Sequence, residues 1–267
     1  MSMNNRLVQK IKEAKKKNAK LFCAYVTLGF PNLSTTEAII PALEQAGTDI
    51  IELGFPFSDP LADGPTIQFA SERAIKNGVQ LKDAFRLIKK LRRKGLKIPV
   101  LFFSYLNPLM HFGVSRAVRQ LKQNGFDGLI IPDLPPEEGR MWEPWFRSSD
   151  LSIVYLIAPT TKNKRIGEIA KRSNGFIYYV SLRGVTGVRS SVPADLVQKI
   201  KEIKKITDKP VLVGFGVSDE KQVRSIARVA DGIIVGSAIV DRLRNGRKAV
   251  KSTISFVSRL IASLKKR

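Results

Sequence analysis

The chain has 267 residues, of which 46 are Lys or Arg, 23 are Asp or Glu and one is His, so its formal charge is +23. Its hydrophobic content of 43% and charged content of 26% are typical of globular proteins, which excludes a disordered chain. The single cysteine, Cys23, excludes a disulfide framework and a cysteine-based zinc site. The single histidine, His111, excludes a multi-histidine metal centre, so we expect no metal site.

The N-terminal segment, residues 1–20, is basic but lacks the apolar region of a signal peptide. As a helix it places Leu7, Ile11 and Ala14 on one side. No apolar run in the sequence approaches the ~20 residues that span a bilayer. We therefore expect a soluble protein of a reducing, cytoplasmic compartment, without contact with a membrane.

The excess of positive charge raises the question of an anionic partner such as nucleic acid. The basic residues are spread along the chain, mostly on outer faces or at the ends of predicted helices, where cations suit the helix dipole. They are not interleaved with aromatic residues that could stack on bases. A solvated basic surface is therefore favoured over a dedicated nucleic-acid site.

Short apolar runs rich in β-branched residues alternate with longer segments of helical periodicity. Because these runs are apolar throughout, they predict strands buried on both faces, as in a parallel sheet. The predicted strands are residues 21–27, 49–54, 100–104, 128–131, 152–157, 176–180, 211–214 and 232–235. The predicted helices between and after them are residues 35–46, 67–77, 81–94, 115–124, 137–149, 164–173, 194–207, 220–229 and 248–264.

This alternation predicts an α/β protein. Repeated strand–helix units over about 250 residues match a single closed (β/α)8 TIM barrel, here residues 1–267 with an extra N-terminal helix. No linker or change in composition divides the chain. An open doubly wound sheet is the alternative, but it typically carries a glycine-rich turn after the first strand, and the sequence has none there.

In such a barrel the catalytic residues follow the C-terminal ends of the strands. Glu52 lies inside the second predicted strand, among apolar residues. An ionisable group in a strand covered on both faces is costly unless it faces the active-site mouth, where desolvation raises its pKa toward neutrality. We therefore expect Glu52 to shuttle protons, with an outward glutamate at a strand end as the structural alternative.

The segment after this strand, residues 55–66, contains three prolines and the two carboxylates Asp59 and Asp63. One of these aspartates can be explained as a turn residue that caps the next helix. The other is then free to face the mouth beside Glu52. Two carboxylates there favour acid–base chemistry over a metal site, because the other ligands of a hard cation are missing.

Small residues follow the last three predicted strands, at positions 184–187, 214–216 and 236–237. Barrels often bind phosphate with these loops, through backbone N–H groups and a helix N-terminus. Each glycine pair alone is explained by a turn, but the three together predict a phosphorylated small-molecule substrate.

Four segments resemble the tryptophan synthase alpha subunit. They are IELGFPFSDPLADGPTIQ at residues 51–68, IPDLP at 131–135, GVTG at 184–187 and GFG at 214–216. The first is long and highly specific. With the N-terminal helix and VTLG at 26–29, the resemblance covers essentially the whole chain.

The resemblance implies a TIM-barrel lyase that cleaves indole-3-glycerol phosphate to indole and glyceraldehyde 3-phosphate by a retro-aldol reaction. Glu52 falls on the catalytic glutamate, which protonates indole C3 and assists deprotonation of the glycerol hydroxyl. Asp63 matches the aspartate that accepts a hydrogen bond from the indole N–H. Tyr178 aligns with an active-site tyrosine, although Tyr179 beside it leaves the direction of the side chain to be checked.

The resemblance also implies binding residues and two lid loops, residues 55–66 and 183–193. Thr186 matches the threonine that contacts the catalytic aspartate when the lid closes. The phosphate cradle matches Gly187, Gly216, Gly236 and Ser237. The expected walls of the indole pocket are Tyr25, Ile67, Phe103 and Tyr105.

The family works as an α2β2 tetramer with a beta subunit that carries pyridoxal phosphate. We therefore expect no cofactor in this chain, and no lysine stands in a recognisable site for one. The residues placed at the contact with the beta subunit are Pro56, Asp59, Asn107 and Pro135, each of which could instead stabilise its loop.

Three other functions stay open. A noncatalytic regulatory subunit would have been indicated by loss of Glu52 or Asp63, and both are present. A nucleic-acid-binding barrel would bind with a steep dependence on salt. Indole-3-glycerol-phosphate synthase, another phosphate-binding barrel, needs a lysine inside the barrel, and no predicted strand offers an obvious one.

Overall fold

The computed structural model describes residues 5–180, 194–214 and 216–265. Within these ranges one sheet of nine parallel strand segments has the order β5-β4-β3-β2-β1-β9-β8-β7-β6. The segments are β1 (Leu21–Thr27), β2 (Ile50–Gly54), β3 (Val100–Phe103), β4 (Gly128–Ile130), β5 (Ser152–Val154), β6 (Leu156–Ile157), β7 (Ile177–Val180), β8 (Val211–Gly214) and β9 (Gly232–Val235).

The two ends of this sheet, β5 and β6, are parts of the same stretch of chain and are separated only by Tyr155. The carbonyl oxygen of Tyr155 accepts a hydrogen bond from the backbone N–H of Tyr178 at 3.4 Å. The sheet therefore closes on itself through the fifth barrel strand, which confirms the predicted (β/α)8 barrel.

The strands are apolar throughout because both faces of the closed sheet are covered by other parts of the protein. All residues of β1, β2 and β3 are buried, as the continuous apolar runs predict. β1 pairs with β2 on one side and with β9 on the other, so the first and last strands of the chain are neighbours.

Helices alternate with the strands and form the outer layer. They are α1 (Arg6–Lys16), α2 (Leu33–Gln45), α3 (Pro65–Lys76), α4 (Leu81–Arg93), α5 (Leu106–Phe112), α6 (Val114–Gln123), α7 (Pro136–Gly139), α8 (Glu143–Ser148), α9 (Asn163–Arg172), α10 (Ala194–Ile206), α11 (Glu220–Ala227), α12 (Ser237–Arg242) and α13 (Val250–Lys265). A short 3₁₀ helix, Leu243–Ala249, joins the last two.

Between β3 and β5 the helices differ from the prediction at two places. The single helix predicted over residues 137–149 is split into α7 and α8, and Pro144 lies in the first turn of α8, where its missing N–H removes no helical hydrogen bond. The helix α5, directly after β3, was not predicted. Its seven residues are too few to show helical periodicity.

The N-terminal helix α1 covers the end of the barrel opposite to the strand C-termini. Asn5 caps it by accepting a hydrogen bond from the N–H of Val8 at 3.1 Å, and its amide group donates to Ser152 at the start of β5. Leu7, on the side of α1 that faces the barrel, is fully buried. The C-terminal ends of the strands, which form the mouth of a (β/α)8 barrel, lie at the end opposite to α1.

Candidate active site

Glu52 lies at the centre of β2 and points into the barrel. Its side chain is fully buried. In the sheet, Glu52 lies opposite Tyr25 of β1 on one side and opposite Leu101 of β3 on the other. Its Oε1 accepts a hydrogen bond from Sγ of Cys23 at 3.3 Å, whereas Oε2 has no hydrogen-bond partner among the described residues. Burial raises the pKa of Glu52 to about 8, and the Cys23 hydrogen bond opposes this rise. A carboxyl group that titrates near neutrality can both donate and accept a proton.

Asp63 lies in the loop between β2 and α3, residues 55–64. Its N–H donates to the carbonyl oxygen of Pro60 at 3.0 Å, and Pro65 occupies the first turn of α3, where proline fits well. The loop is thus held by turns on both sides of the aspartate. Burial raises the pKa of the Asp63 carboxyl to about 6, and a hydrogen bond from Tyr105 opposes this rise.

Tyr105 holds this loop at the mouth. Its hydroxyl oxygen accepts a hydrogen bond from the N–H of Ala62 at 2.9 Å and lies beside the side chain of Asp63. The Tyr105 ring also packs on that of Phe57, with 5.2 Å between the ring centres. Tyr105, which the sequence predicts as a wall of the indole pocket, therefore holds the loop that carries Asp63.

Tyr25 contributes a second ring to the mouth. It packs edge to face on Phe103 with 5.5 Å between ring centres, and its phenol lies against the α-carbon of Gly54. A side chain at position 54 would collide with this ring. Burial raises the pKa of Tyr25 well above its ordinary value, and the charges of Asp63 and Glu52 add to the rise. The phenol is therefore neutral and close to both carboxyl groups.

Tyr178 on β7, and not Tyr179, faces the barrel interior. Burial raises the pKa of Tyr178 well above its ordinary value, and the next largest cause is the charge of Glu52, on a strand that does not neighbour β7. The ring of Tyr178 lies against Gly214 of β8. Tyr179 is only 1% exposed and belongs to the hydrophobic core.

A cavity of about 460 Å³ opens at the mouth, a volume within the range of small-molecule sites. Asp63, Phe103 and Tyr178 line it. The other three expected walls, Tyr25, Ile67 and Tyr105, are buried and are not among the described residues that line this cavity. The remaining lining is mostly the ends of β4 and β6 and the segments after them, residues 131–136 and 155–158.

The described part of the expected phosphate cradle lies at the same end of two paired strands. β8 and β9 run in parallel with Gly214 opposite Ile234, so Gly216 and Gly236 follow neighbouring strand ends. Ser237 is the first residue of α12. The other two expected binding residues, Thr186 and Gly187, and the expected lid 183–193 lie outside the described residues.

The four residues expected to contact a partner differ in exposure. Asp59 and Asn107 are exposed, Pro135 is half-buried and Pro56 is buried within this chain. The side chain of Leu61, two residues after Asp59, is 94% exposed, and no pattern in the sequence singles it out. A single exposed leucine is common on protein surfaces and does not by itself mark a contact site.

The described ranges hold neither a metal centre nor a membrane-spanning helix. They contain no group of three or more His, Cys, Asp or Glu side chains arranged to hold a metal ion. None of their helices has both the length and the apolar character needed to cross a membrane.

The fold and its mouth define a (β/α)8-barrel enzyme with two carboxyl groups suited to acid–base chemistry. Comparison with known proteins agrees with this class. The family described as tryptophan synthase alpha chain matches residues 11–266. The chain is 41% identical to the tryptophan synthase alpha chain of Chloroflexus aggregans, over 97% of this chain and 98% of the relative. It is 44% identical to that of Geotalea daltonii, over 93% and 95% of the two chains. It therefore belongs to the tryptophan synthase alpha chain family.

Solved structures show the same likeness. A tryptophan synthase structure from M. tuberculosis superimposes with a TM-score of 0.89 at 31% identity, covering 99% of this chain and 100% of the other. The tryptophan synthase subunit alpha of Legionella pneumophila gives a TM-score of 0.90 at 30% identity, covering 98% of both chains. The likeness therefore extends over the barrel as a whole.

Proposed function

We propose that Glu52 and Asp63 carry out the reaction of this family at the mouth of the barrel. As a member of the family, the chain is a lyase of tryptophan biosynthesis that cleaves indole-3-glycerol phosphate to indole and glyceraldehyde 3-phosphate. The observation that carries the assignment of roles is the state of Glu52. It is a buried carboxyl group with a pKa near 8 and one oxygen without a hydrogen-bond partner among the described residues.

In the proposed mechanism, neutral Glu52 donates its proton to C3 of the indole ring. The resulting carboxylate accepts the proton of the glycerol hydroxyl group on the carbon next to the ring. The electron pair of that O–H bond forms the aldehyde C=O, and the bond between this carbon and C3 breaks. The electrons of the broken bond re-form the C2–C3 double bond of indole, and the electron pair of the C2=N bond returns to the ring nitrogen. Glu52 is protonated again at the end, so the acid is regenerated.

Asp63 stabilises the charge that this step creates. Protonation at C3 leaves positive charge on the ring nitrogen, and the Asp63 carboxylate would accept a hydrogen bond from that N–H. With a pKa near 6, Asp63 is mainly ionised at neutral pH, as this role requires. The two carboxyl groups thus differ in protonation state because Glu52 is more deeply buried.

The flat, apolar indole would bind between the aromatic rings at the mouth. Tyr25 and Phe103 pack on each other, and Tyr178 lines the same cavity as Asp63. Such a pocket, with few polar groups, suits an aromatic ligand. The phosphate would bind to the N–H groups of Gly216, Gly236 and Ser237, with Thr186 and Gly187 from the loop after β7.

We further propose that the chain is one domain over residues 1–267 and works with a beta subunit in an α2β2 tetramer. The described strands and helices share one hydrophobic core. The partner would carry the pyridoxal phosphate, and it would contact Asp59, Asn107 and Pro135, with Pro56 supporting the loop from within. Cytoplasmic location is part of the same proposal.

The proposed function is tested by measuring indole release from indole-3-glycerol phosphate, with and without a tryptophan synthase beta subunit. We expect slow release by the isolated chain and faster release in the complex. A noncatalytic regulatory subunit would activate the beta subunit but release no indole under either condition.

A nucleic-acid partner is the second candidate, and one surface feature favours it. A groove of about 950 Å³ at the α1 end of the barrel is lined by the cations Lys17, Lys20, Arg224, Arg228 and Lys265, without a carboxylate among its described lining residues. Binding there would weaken steeply as salt is raised. A salt titration with DNA or RNA separates this candidate from the lyase.

A further inference from the structure

Cys23 and Glu52 form a hydrogen-bonded pair on neighbouring strands inside the barrel. Cys23 of β1 lies opposite Ile50 of β2, and Tyr25 lies opposite Glu52. Because side chains two residues apart on a strand point to the same face, the Cys23 thiol and the Glu52 carboxyl group share one face of the sheet. Sγ of Cys23 is 3.3 Å from Oε1 of Glu52. Both side chains are fully buried, so water does not compete for this contact.

The thiol is the donor of this hydrogen bond. Burial and the nearby Glu52 charge raise the pKa of Cys23 well above its ordinary value, so the group stays S–H. A thiol has one proton to donate and is a weak acceptor. That proton is directed to Oε1.

The contact makes the two oxygens of Glu52 unequal. Oε1 accepts the S–H, whereas Oε2 has no hydrogen-bond partner among the described residues. If the acid proton were on Oε1, it would face the S–H proton, and the sulfur, a weak acceptor, could form only a weak hydrogen bond with it. On Oε2 the proton lies on the oxygen that is free for a substrate.

We propose that Cys23 is a positioning residue that fixes the orientation of Glu52 and keeps its transferable proton on Oε2. This inference rests on the proposed function and deepens it. The acid that donates to indole C3 is held ready by a neighbour that does not itself touch the substrate.

The alternative is that Cys23 only fills space, since buried cysteines often act as small apolar side chains. Two substitutions separate these roles. Cys23→Val keeps an apolar side chain of similar size and removes the donor, whereas Cys23→Ser restores a donor in a smaller side chain. Val211→Ala, at the start of β8, is the control for a general loosening of the core, because Val211 is fully buried and lies outside the site.

The first readout is the pH profile of indole release, measured in the complex with a beta subunit. In Cys23→Val we expect kcat to fall roughly three- to tenfold, as for the loss of one weak hydrogen bond to a charged group, with the profile displaced to higher pH. Cys23→Ser should recover most of the rate and the wild-type profile. A Cys23→Val enzyme with the wild-type rate and profile would overturn the proposal, as would a Cys23→Ser enzyme that matches Cys23→Val.

The second readout does not depend on activity. The pKa of Glu52 can be followed by the carboxyl ¹³C signal in wild type and both variants, with the signal assigned by its loss in Glu52→Gln. The S–H donor favours the charged carboxylate, so its removal should raise the pKa by roughly half a unit to one unit. If the pKa of Glu52 is the same in wild type and in Cys23→Val, the positioning role is contradicted, whether or not the protein is a lyase. If the pKa is raised in Cys23→Val but the wild-type protein releases no indole, only the lyase function is contradicted.

Discussion

The hydroxyl group of Tyr105 accepts the N–H of Ala62 at 2.9 Å and lies beside the carboxyl group of Asp63, whose pKa it lowers. One side chain of the segment after β3 therefore fixes both the backbone and the carboxylate of the loop after β2. This explains how a loop with a half-buried aspartate can present that aspartate in one position.

The first prediction concerns this contact. Tyr105→Phe removes the hydroxyl group and keeps the ring, so we expect kcat/KM to fall about tenfold because Asp63 is less well placed and its pKa rises. The acid limb of the pH profile should move to higher pH by the same cause. The control is Thr253→Val, which removes another buried hydroxyl group far from the site, in α13. Identical profiles for wild type and Tyr105→Phe would show that the contact has no role in catalysis.

The second prediction concerns stability and the buried Glu52. Its pKa is about 8 when folded and near 4.5 when unfolded, so between these values the folded chain holds the extra proton. The free energy of unfolding should therefore fall as pH rises through this window, by at most about 1.4 kcal/mol per pH unit. Glu52→Gln has no titrating group at this position. The free energy of unfolding of Glu52→Gln minus that of wild type should therefore increase from pH 5 to pH 8. Chemical denaturation at several pH values measures the difference, and a constant difference would exclude the raised pKa.

The third prediction concerns Gly54. Gly54→Ala places a methyl group where the Tyr25 phenol lies, so the ring must move and the mouth must change shape. We expect KM for indole-3-glycerol phosphate to rise and stability to fall by roughly 1–3 kcal/mol, as in an overpacked core. Gly167→Ala is the control, because a methyl group in α9 would meet only ordinary contact distances. Unchanged kinetics in Gly54→Ala would remove Tyr25 from the substrate site.

The fourth prediction concerns the phosphate cradle. Inorganic phosphate should compete with the substrate and bind beside Gly216, Gly236 and Ser237. Ser237→Ala should weaken phosphate binding only modestly, by ~1–3 kcal/mol, because most donors are backbone N–H groups. Ser258→Ala, on the exposed side of α13, should bind phosphate like wild type. A crystal grown with phosphate that holds the anion only at the α1 end of the barrel would refute this cradle.

The fifth prediction concerns the partner. A beta subunit can raise turnover only through a difference in affinity for two states of this chain. Asp59 is exposed on the loop that carries Asp63, so Asp59→Ala should reduce activation by the partner more than the basal rate. Asp208→Ala, exposed at the α1 end of the barrel, is the matched control. Equal activation of wild type and Asp59→Ala would remove Asp59 from this coupling.

The sequence predicts most of the barrel because its strands are apolar on both faces, which leaves little ambiguity between strand and loop. The predicted strand 152–157 is correct as one barrel strand, which is divided at Tyr155 into the segments β5 and β6. The split of the helix predicted over 137–149 and the short α5 were missed, since both depend on local breaks of a few residues.

The site could be predicted only in part. Glu52 and Asp63 are recognisable because a carboxylate in a buried strand and another in a proline-rich loop are unusual. The choice of Tyr178 over Tyr179 depends on strand orientation, and the contact of Gly54 with Tyr25 depends on strand register. Neither is visible in sequence spacing alone.

The most direct test of the account is indole release by Glu52→Gln in complex with a beta subunit. The substitution keeps the shape of the side chain and removes the proton that the mechanism transfers. General acid–base catalysis alone contributes ~10²–10⁴, so we predict a loss of several orders of magnitude in kcat, with phosphate binding and the complex retained. Turnover close to that of wild type in Glu52→Gln would contradict the assignment of Glu52 as the proton carrier.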